Sequence, residues 1–454
     1  MRSRDLAKAA TAPFAPLLVK ETREVTGGRA LWIMLLLICP LVGYSFLQAV
    51  SLYSESSLAA QQSPALAVSL SPLDGILVPT FGSLYVAVTL LFPFVAIRAL
   101  SHEKESGSLK LLLQLPYGAS KLMLAKILAV MFAWLLVSLP VTTTLLIWLL
   151  QGGHFGAWET LTLILGHALY GALVGAIALF CASVTESAAS AAILALAFTV
   201  GSWALDFTIA GRPGFLDWIA RLSLTQVIKP FEQGLLSVGQ VMGSVAAIIG
   251  FVALAGIWLH PGQVLGQQLR RSLGCAVVIG IAWLGASHAK LTLDVSEDQR
   301  NSFPLADQRA LARLPKQLEI IVHLASEDPR YLDFQRNILA KLERAVPRVA
   351  VRLANDNSSE ESYGEVQYRY GDRTDVSRST SYREVLPLIY GLAEMAPPAP
   401  VASAEFPGYP LTTDADLALL WFFIFLPILI AGGWWWTRRP PAIEFTSAHQ
   451  GGQS

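Results

Sequence analysis

The 454-residue sequence is poor in charged residues and in cysteine. Asp, Glu, Lys and Arg make up 15% of the residues, whereas soluble domains usually contain about 25%. The 33 basic and 33 acidic residues balance, which argues against a nucleic-acid partner. All three cysteines (Cys39, Cys181 and Cys275) lie within apolar runs. We therefore expect neither a disulfide framework nor a cysteine metal site.

Nucleotide-binding and catalytic motifs are missing as well. The sequence contains no Gly-Lys dipeptide, and a phosphate-binding loop needs flexible glycines together with that lysine. No H-E-x-x-H, G-x-S-x-G or paired-cysteine motif occurs either. We therefore expect that the chain is not an enzyme and has no catalytic, cofactor-binding or metal-ligating residues.

Eight apolar stretches are long enough to cross a membrane, which takes about 20 mostly apolar residues. Ionisable side chains are scarce within them, and only His167 lies deep in a stretch. An ion-driven carrier relies on such groups, so that class of transporter is disfavoured. The sequence predicts an α-helical polytopic membrane protein. Its spans are expected near 31–52, 79–99, 124–150, 158–182, 187–209, 239–259, 273–289 and 416–436.

Basic residues predict the orientation of these spans. They cluster before span 1, after span 2, before span 7 and after span 8, whereas residues 53–78 and 151–157 contain no Lys or Arg. Basic loops are retained in the cytoplasm. We therefore expect both termini in the cytoplasm and residues 290–415 outside it.

Residues 290–415 have the charge density of a soluble protein and predict a mixed α/β domain between spans 7 and 8. A short apolar strand, Leu318–Leu324, precedes an amphipathic helix, Arg330–Val346, and a half-buried strand, Arg348–Leu353. In such a strand–helix–strand unit the two strands run parallel. A third strand is expected over Glu365–Tyr370 and a second helix over Tyr382–Met395.

Between spans 2 and 3 lies a charged amphipathic segment, RALSHEKESGSLKLLLQLPYGASKLMLAK, residues 98–126. Ser101 can cap a short helix on which Glu103, Lys104 and Glu105 would be exposed. Gly107 and the following serine would restart the helix with a leucine-rich side toward the membrane. Such a helix could fit a groove on a partner and transmit a rigid-body push. The alternative is an amphipathic connector without a partner.

This order of features resembles the cytoplasmic coupling segment of ABC-2 type transporter permeases. The resemblance implies that a separate ATPase subunit, which would hold ATP and magnesium, drives a pair of permease copies. Ser108 departs from the common threonine but keeps the hydroxyl. Glu103 and Glu105 would be polar anchors, and reversing both charges is expected to uncouple transport while the protein stays folded. The expected ATPase-coupling residues are Glu103, Glu105, Gly107, Ser108, Leu109, Leu112 and Pro116, with Lys126 opening the next span.

Residues Leu291 to Leu324 resemble the opening of the Gld auxiliary domain, in which Asp294, Ser296, Arg300 and Ser302 occupy matching places. This resemblance implies an ABC-2 permease of the gliding-motility Gld type fused to its auxiliary unit. The expected parts are a cytoplasmic interfacial lead-in helix (1–30), a six-span permease domain (31–260), a cytoplasmic linker with span 7 (261–289), the extracytoplasmic α/β auxiliary domain (290–415), span 8 (416–437) and a cytoplasmic tail (438–454).

The predicted function is that of a permease subunit in an ATP-driven exporter of the bacterial cytoplasmic (inner) membrane. Its expected partners are the ABC ATPase, a second permease copy and the lipid bilayer, and no nucleic acid. The alternative is a membrane-anchored scaffold that uses ATPase motion to act on an extracytoplasmic envelope protein instead of moving cargo.

Overall fold

The computed structural model describes residues 14–114, 118–209, 223–260, 262–289, 291–325, 328–354, 363–399 and 406–438. Within these residues the chain is predominantly helical, and eight helices are long and apolar enough to cross a membrane. This number matches the eight apolar stretches of the sequence. We number them spans 1 to 8: Arg29–Gln62, Leu73–Glu105, Ala119–Leu150, Ala157–Val184, Ala188–Leu205, Val238–Trp258, Leu265–Ala286 and Asp416–Thr437.

Three of the spans are interrupted helices. Proline lies in the first turn after the breaks in spans 2 and 3, where its missing N–H costs no helical hydrogen bond. Spans 2 and 8 also contain a π-helical turn each. The pieces are Leu73–Leu77, Val78–Leu90 and Phe92–Glu105 in span 2, Ala119–Val137 and Leu139–Leu150 in span 3, and Asp416–Leu420, Trp421–Phe425 and Leu426–Thr437 in span 8.

Span 1 is much longer than its predicted apolar stretch. Its 34 residues correspond to about 51 Å of helix, whereas a bilayer core is about 30 Å thick. The extra turns contact the linker that leads into span 8: the Tyr53 hydroxyl donates to the Tyr409 carbonyl at 2.6 Å, and the Leu411 N–H donates to Ser57 Oγ at 3.0 Å. The proline-rich linker is therefore fixed along span 1.

Two short helices lie at the opposite end of the bundle. The first, α1 (Phe14–Gly27), buries Leu17, Glu21 and Val25, which recur every fourth residue and so share one face. This face packs against spans 2 and 3. The second, α2 (Ser108–Gln114), follows span 2. The remaining short helices are Pro64–Ala67, Thr225–Glu232 and Leu305–Leu311.

A four-stranded sheet with its own hydrophobic core lies, in chain order, between the helices of spans 7 and 8. We call residues 303–395 the α/β region because its buried side chains form a core separate from that of the bundle. The predicted parallel pairing of the strand–helix–strand unit is confirmed, and the sequence did not indicate the exposed fourth strand. The elements are β3 (Leu318–Val322), a helix built from Pro329–Phe334, Gln335–Leu339 and Ala340–Ala345, β4 (Val349–Leu353), β5 (Val366–Tyr370), β6 (Arg373–Ser377) and a final helix, Tyr382–Leu392.

A two-stranded sheet joins the segments that flank spans 6 and 7. β1 (Leu235–Ser237) pairs antiparallel with β2 (Thr292–Asp294). Asp294 is therefore the last residue of a strand. The pairing holds the start of span 6 beside the end of span 7.

Candidate functional site

The segment after span 2 bends at a glycine. Span 2 continues as helix through Glu105, so the prediction that Ser101 caps a new helix is wrong. Gly107 has φ +75°, a conformation that glycine adopts without steric cost. The chain then enters α2, and Ser106 Oγ lies 2.8 Å from Ser108 Oγ across the bend. The predicted helix restart at Gly107 is therefore confirmed.

Gly107→Ala is expected to destabilise this bend. No atom crowds the position where a Cβ would lie, so the cost of about 1–2 kcal/mol comes from the left-handed backbone alone. Thermal unfolding of the purified variant measures the cost, and Gly82→Ala, at a glycine inside a helix of span 2 with equally open space around it, is the matched control. Equal stability of both variants would contradict the assigned strain.

The predicted coupling residues separate into an exposed and a buried group. Glu105 and Gly107 are exposed, Ser108 and Leu112 are half-buried, and Leu109 and Glu103 are buried. Pro116 lies outside the described residues. The list therefore mixes side chains that a partner can reach with side chains that hold the segment in place.

Glu103 is 2% exposed, so its predicted exposure is wrong. Because span 2 stays helical to its end, Glu103 lies one turn after Ala99 on the same buried face. Its carboxylate lies 2.7 Å from the ammonium group of Lys126 and also contacts Lys20. Glu103 is therefore an internal residue of the bundle.

Lys126 is the centre of a buried ion network. It is fully buried on span 3 and lies 2.8 Å from Glu21 of α1, which is also fully buried. It donates a further hydrogen bond of 2.6 Å to the Ala99 carbonyl of span 2. Ions cost several kcal/mol each to bury, and each of these is compensated by its partners. The network thus ties α1, span 2 and span 3 together.

Lys20 lies at the solvent-exposed edge of the network. Its ammonium group contacts Glu103 and lies 3.1 Å from Glu21 and 2.8 Å from Glu24. Partial burial opposes the charge of Lys20, but hydrogen bonds to Glu103 and Glu24 leave its pKa raised above the ordinary value. The carboxylates of Glu21, Glu24 and Glu103 lie close enough together to share one ion. The two lysines supply the positive charge between them, so the arrangement is that of a structural ion network.

Contacts of the neighbouring residues extend this assembly to spans 4 and 5. The Lys104 ammonium group donates to the carbonyls of Ala182 and Ser183 at 2.6 and 2.7 Å, where the C-terminal end of span 4 favours a cation. Glu105 Oε1 accepts a hydrogen bond of 3.3 Å from the Ala188 N–H at the start of span 5. Movement of the end of span 2 would therefore be transmitted to spans 3, 4 and 5.

An exposed patch lies on the surface of this assembly, around the bend that follows span 2. We define the coupling surface as Glu105, Gly107, Lys110 and Leu111, all of which are exposed. Leu111 is 66% exposed, although the sequence predicted that the leucines face the membrane spans. Acidic, basic and apolar groups are therefore exposed side by side here.

The four residues that match the Gld auxiliary opening lie in a junction segment, residues 291–302, at the opposite end of span 2. Arg300 contacts Asp74 of span 2 and donates a 2.7 Å hydrogen bond to Ser71 just before it. Burial lowers the pKa of Arg300. Asp298 lies 2.9 Å away and orients the guanidinium group. Arg300 thus fixes the junction to the far end of the helix that carries the coupling surface.

The other matching residues stabilise the junction itself. Asp294 accepts a 2.6 Å hydrogen bond from the Ser296 hydroxyl and a 3.1 Å bond from the Asn301 N–H. Ser302 donates its N–H to the Gln299 carbonyl. The Asn301 carbonyl in turn accepts a 2.5 Å bond from Arg344 of the α/β region. A continuous series of polar contacts therefore leads from span 2 to the α/β region.

A second contact joins the junction to span 4. Glu297 Oε1 and Oε2 lie 3.0 Å from His154 Nε2, and the Glu297 N–H donates to the buried Glu159 at 3.2 Å. Tyr409 of the linker stacks on His154 with ring centroids 3.9 Å apart. The junction is therefore attached at two places.

Sequence reasoning missed the network residues Lys20 and Glu21, and it quoted Lys126 only as part of a motif. A signal was present, because Lys126 stands among apolar residues of a span, where a lysine is costly unless paired. Its partner Glu21 lies 105 residues away along the chain. No local pattern connects the two positions.

Comparison with known protein families matches residues 15–256 to the ABC-2 family transporter protein. This segment contains spans 1 to 5, the coupling surface and nearly all of α1 and span 6. No curated protein and no solved structure matches the chain.

Proposed function

Since the chain belongs to the ABC-2 family of transporter proteins, we propose that it is the permease of an ATP-driven exporter of lipid-like or polymeric substrates. A separate ABC ATPase would bind ATP and magnesium, and a second permease copy would complete the translocation path. The Gld-type assignment, with an auxiliary unit fused to the permease, belongs to this proposal.

The coupling surface is the observation that carries the proposal. On α2, the exposed Leu111 lies beside the exposed Lys110, and α2 follows the end of span 2 that is anchored by the buried ion network. Closure of an ATPase dimer against this helix would displace α1, span 2 and span 3 as one body. Spans 4 and 5 would follow through Lys104 and Glu105.

Co-purification tests the partnership. We expect an affinity-tagged chain to retain an ATPase subunit in mild detergent, and the complex to hydrolyse ATP while the chain alone does not. Transport of a labelled lipid into proteoliposomes by the chain alone, without any nucleotide, would contradict the proposal.

The proposed location is the bacterial cytoplasmic membrane, with both termini in the cytoplasm and the α/β region outside. Basic residues at the end of the bundle that carries the coupling surface support this orientation. A membrane-impermeant maleimide added to intact cells should label Thr374→Cys on the exposed strand β6 and leave Lys110→Cys unlabelled. Cys275→Ser removes the half-buried native thiol, since Cys39 and Cys181 are buried. Labelling of Lys110→Cys from outside would overturn the orientation.

Force transmission to an envelope protein is a second candidate, and the junction segment favours it. Arg300 and Glu297 connect the α/β region to spans 2 and 4, so movement of the spans would reach that region. Under this function, Arg300→Ala should leave ATP hydrolysis unchanged and abolish crosslinking to the envelope partner. If Arg300→Ala lowers export and no envelope protein crosslinks to the wild type, force transmission is contradicted and the exporter function is retained.

A further inference from the structure

A large cavity lies between the helices of spans 4, 5, 6 and 7. Its volume is about 830 Å³, and sites for drug-sized ligands typically measure about 300–1,000 Å³. Four residues that precede span 6 also line it: Ser223, Leu224, Gln226 and Val227. The cavity lies away from the coupling surface and the ion network, and its lining residue Ser237 belongs to β1, which pairs with β2 of the junction segment.

One end of the cavity is polar and uncharged. Ser202 Oγ lies 3.1 Å from Ser223 Oγ, and Gln240 donates to the Gln226 carbonyl at 3.2 Å. These groups gather near β1, where span 6 begins. Hydroxyls and amides have capacity for more than one hydrogen bond each, so this end can bind hydroxyl groups of a ligand.

The other end of the cavity is apolar. From Gln240 to Leu254 the lining follows span 6 for 14 residues, which is about 21 Å of helix. The cavity is thus elongated along the membrane normal, with a polar and an apolar end. The apolar end is lined by Leu173, Ile177, Phe198, Phe251, Leu254 and Ile279.

The described residues that line the cavity are uncharged. None of them is Asp, Glu, Lys, Arg or His. A phosphate group beside these residues would find no guanidinium or ammonium partner among them, and burying an unpaired charge is costly. The described part of the lining therefore favours a head group that is polar but uncharged.

Span 7 supplies one wall. Its residues Ala276, Gly280 and Trp283 line the cavity, and they follow the segment that matches the ABC-2 family. Glycines on span 6 bring the two helices together: a Cβ on Gly250 would overlap Ile279, at 2.2 Å. The cavity is thus completed by a helix added to the family's matched segment.

We propose that this cavity binds a membrane lipid with an uncharged, hydroxylated head group, of which diacylglycerol is the simplest representative. The hydroxyl would lie among Ser202, Ser223 and Gln240, and an acyl chain would extend along Phe251 and Leu254. The proposal is independent of the exporter function, because it concerns a binding site and not the transported substrate.

Photocrosslinking in nanodiscs of phosphatidylcholine tests the site. The probes are diacylglycerol and phosphatidylglycerol that carry the same diazirine acyl chain. We expect diacylglycerol to label the cavity residues of spans 6 and 7 about tenfold more than phosphatidylglycerol, a preference of about 1.4 kcal/mol. Labelling at Ile249, which is 63% exposed on span 6, should be equal for the two probes and serves as reference. Equal labelling of the cavity residues by both probes would overturn the proposal.

Two substitutions sharpen the test. Ala247→Phe fills the cavity and should abolish labelling, whereas Val245→Phe, at a position 39% exposed and outside the lining, should not. Gln240→Lys introduces a cation at the polar end and should shift the preference toward phosphatidylglycerol. Since Gln240→Lys is judged by the ratio of the probes, it remains informative if the phenylalanine impairs folding. An unchanged ratio in Gln240→Lys together with unchanged labelling in Ala247→Phe would place the lipid elsewhere.

Discussion

Replacing Lys126 by methionine is expected to lower the free energy of unfolding by about 3–5 kcal/mol, because it removes one of the two ammonium groups that compensate the buried carboxylates. Glu21 and Glu103 both contact Lys126, and the half-exposed Lys20, which also contacts both, supplies only one positive charge for the two. Thermal or denaturant unfolding of the purified protein in detergent measures the loss.

Two further variants separate the charge effect from the loss of a side chain. Lys110→Met removes an exposed lysine and should change stability by no more than about 0.5 kcal/mol. The triple variant Glu21→Gln, Glu103→Gln, Lys126→Met neutralises the network and should be more stable than Lys126→Met alone, since it strands no buried charge. If Lys126→Met is as stable as the wild type, the ion network does not stabilise the contact of α1 with spans 2 and 3.

Replacing Leu111 by aspartate together with Lys110 by glutamate is expected to release the ATPase. Both residues are exposed, so the fold should survive, while an apolar anchor and a cation are lost from the contact. Residues at the centre of an interface cost about 2 kcal/mol or more when changed, which corresponds to roughly 30-fold weaker binding. Binding of the purified ATPase and ATP-dependent transport measure the effect.

Gln114→Glu is the matched control for this variant, because it changes an exposed residue of α2 without touching Lys110 or Leu111. It should bind the ATPase almost as well as the wild type. Reversal of Glu103 and Glu105 together is unsuitable, since Glu103 is buried and its reversal would damage the fold before the contact. Wild-type affinity in the Lys110 and Leu111 double variant would move the contact away from α2.

The sequence predicts those parts of the molecule that depend on local patterns. Apolar runs of about 20 residues predict membrane-spanning helices, because in the bilayer core a backbone must satisfy its own hydrogen bonds and a helix does so within one segment. The apolar run around Ile320, the helical spacing before Pro347 and the alternation over Arg348–Leu353 predicted the parallel strand pair that the structure contains. The bend at Gly107 followed from residue type alone.

What escaped prediction depends on distant pairs. Glu103 was expected to be exposed because charged residues near a turn usually are, and its partners belong to elements that the sequence does not connect. β1 and β2 have three residues each, too few for an alternation pattern, and they pair across two spans. The position of Leu111 depends on the helical phase of α2, which a run of leucines does not reveal.

Span 1 has a mechanical consequence. It begins directly after α1, whose Glu21 belongs to the ion network, and its far end is hydrogen-bonded to the linker beyond the α/β region. A single stiff rod thus crosses the bilayer with both ends anchored. Under the proposed coupling to an ATPase, a protein bound to the α/β region would change the nucleotide affinity of the ATPase by the same factor by which nucleotide changes the affinity for that protein. Span 1 would then link binding events at the α/β region to nucleotide binding by the ATPase.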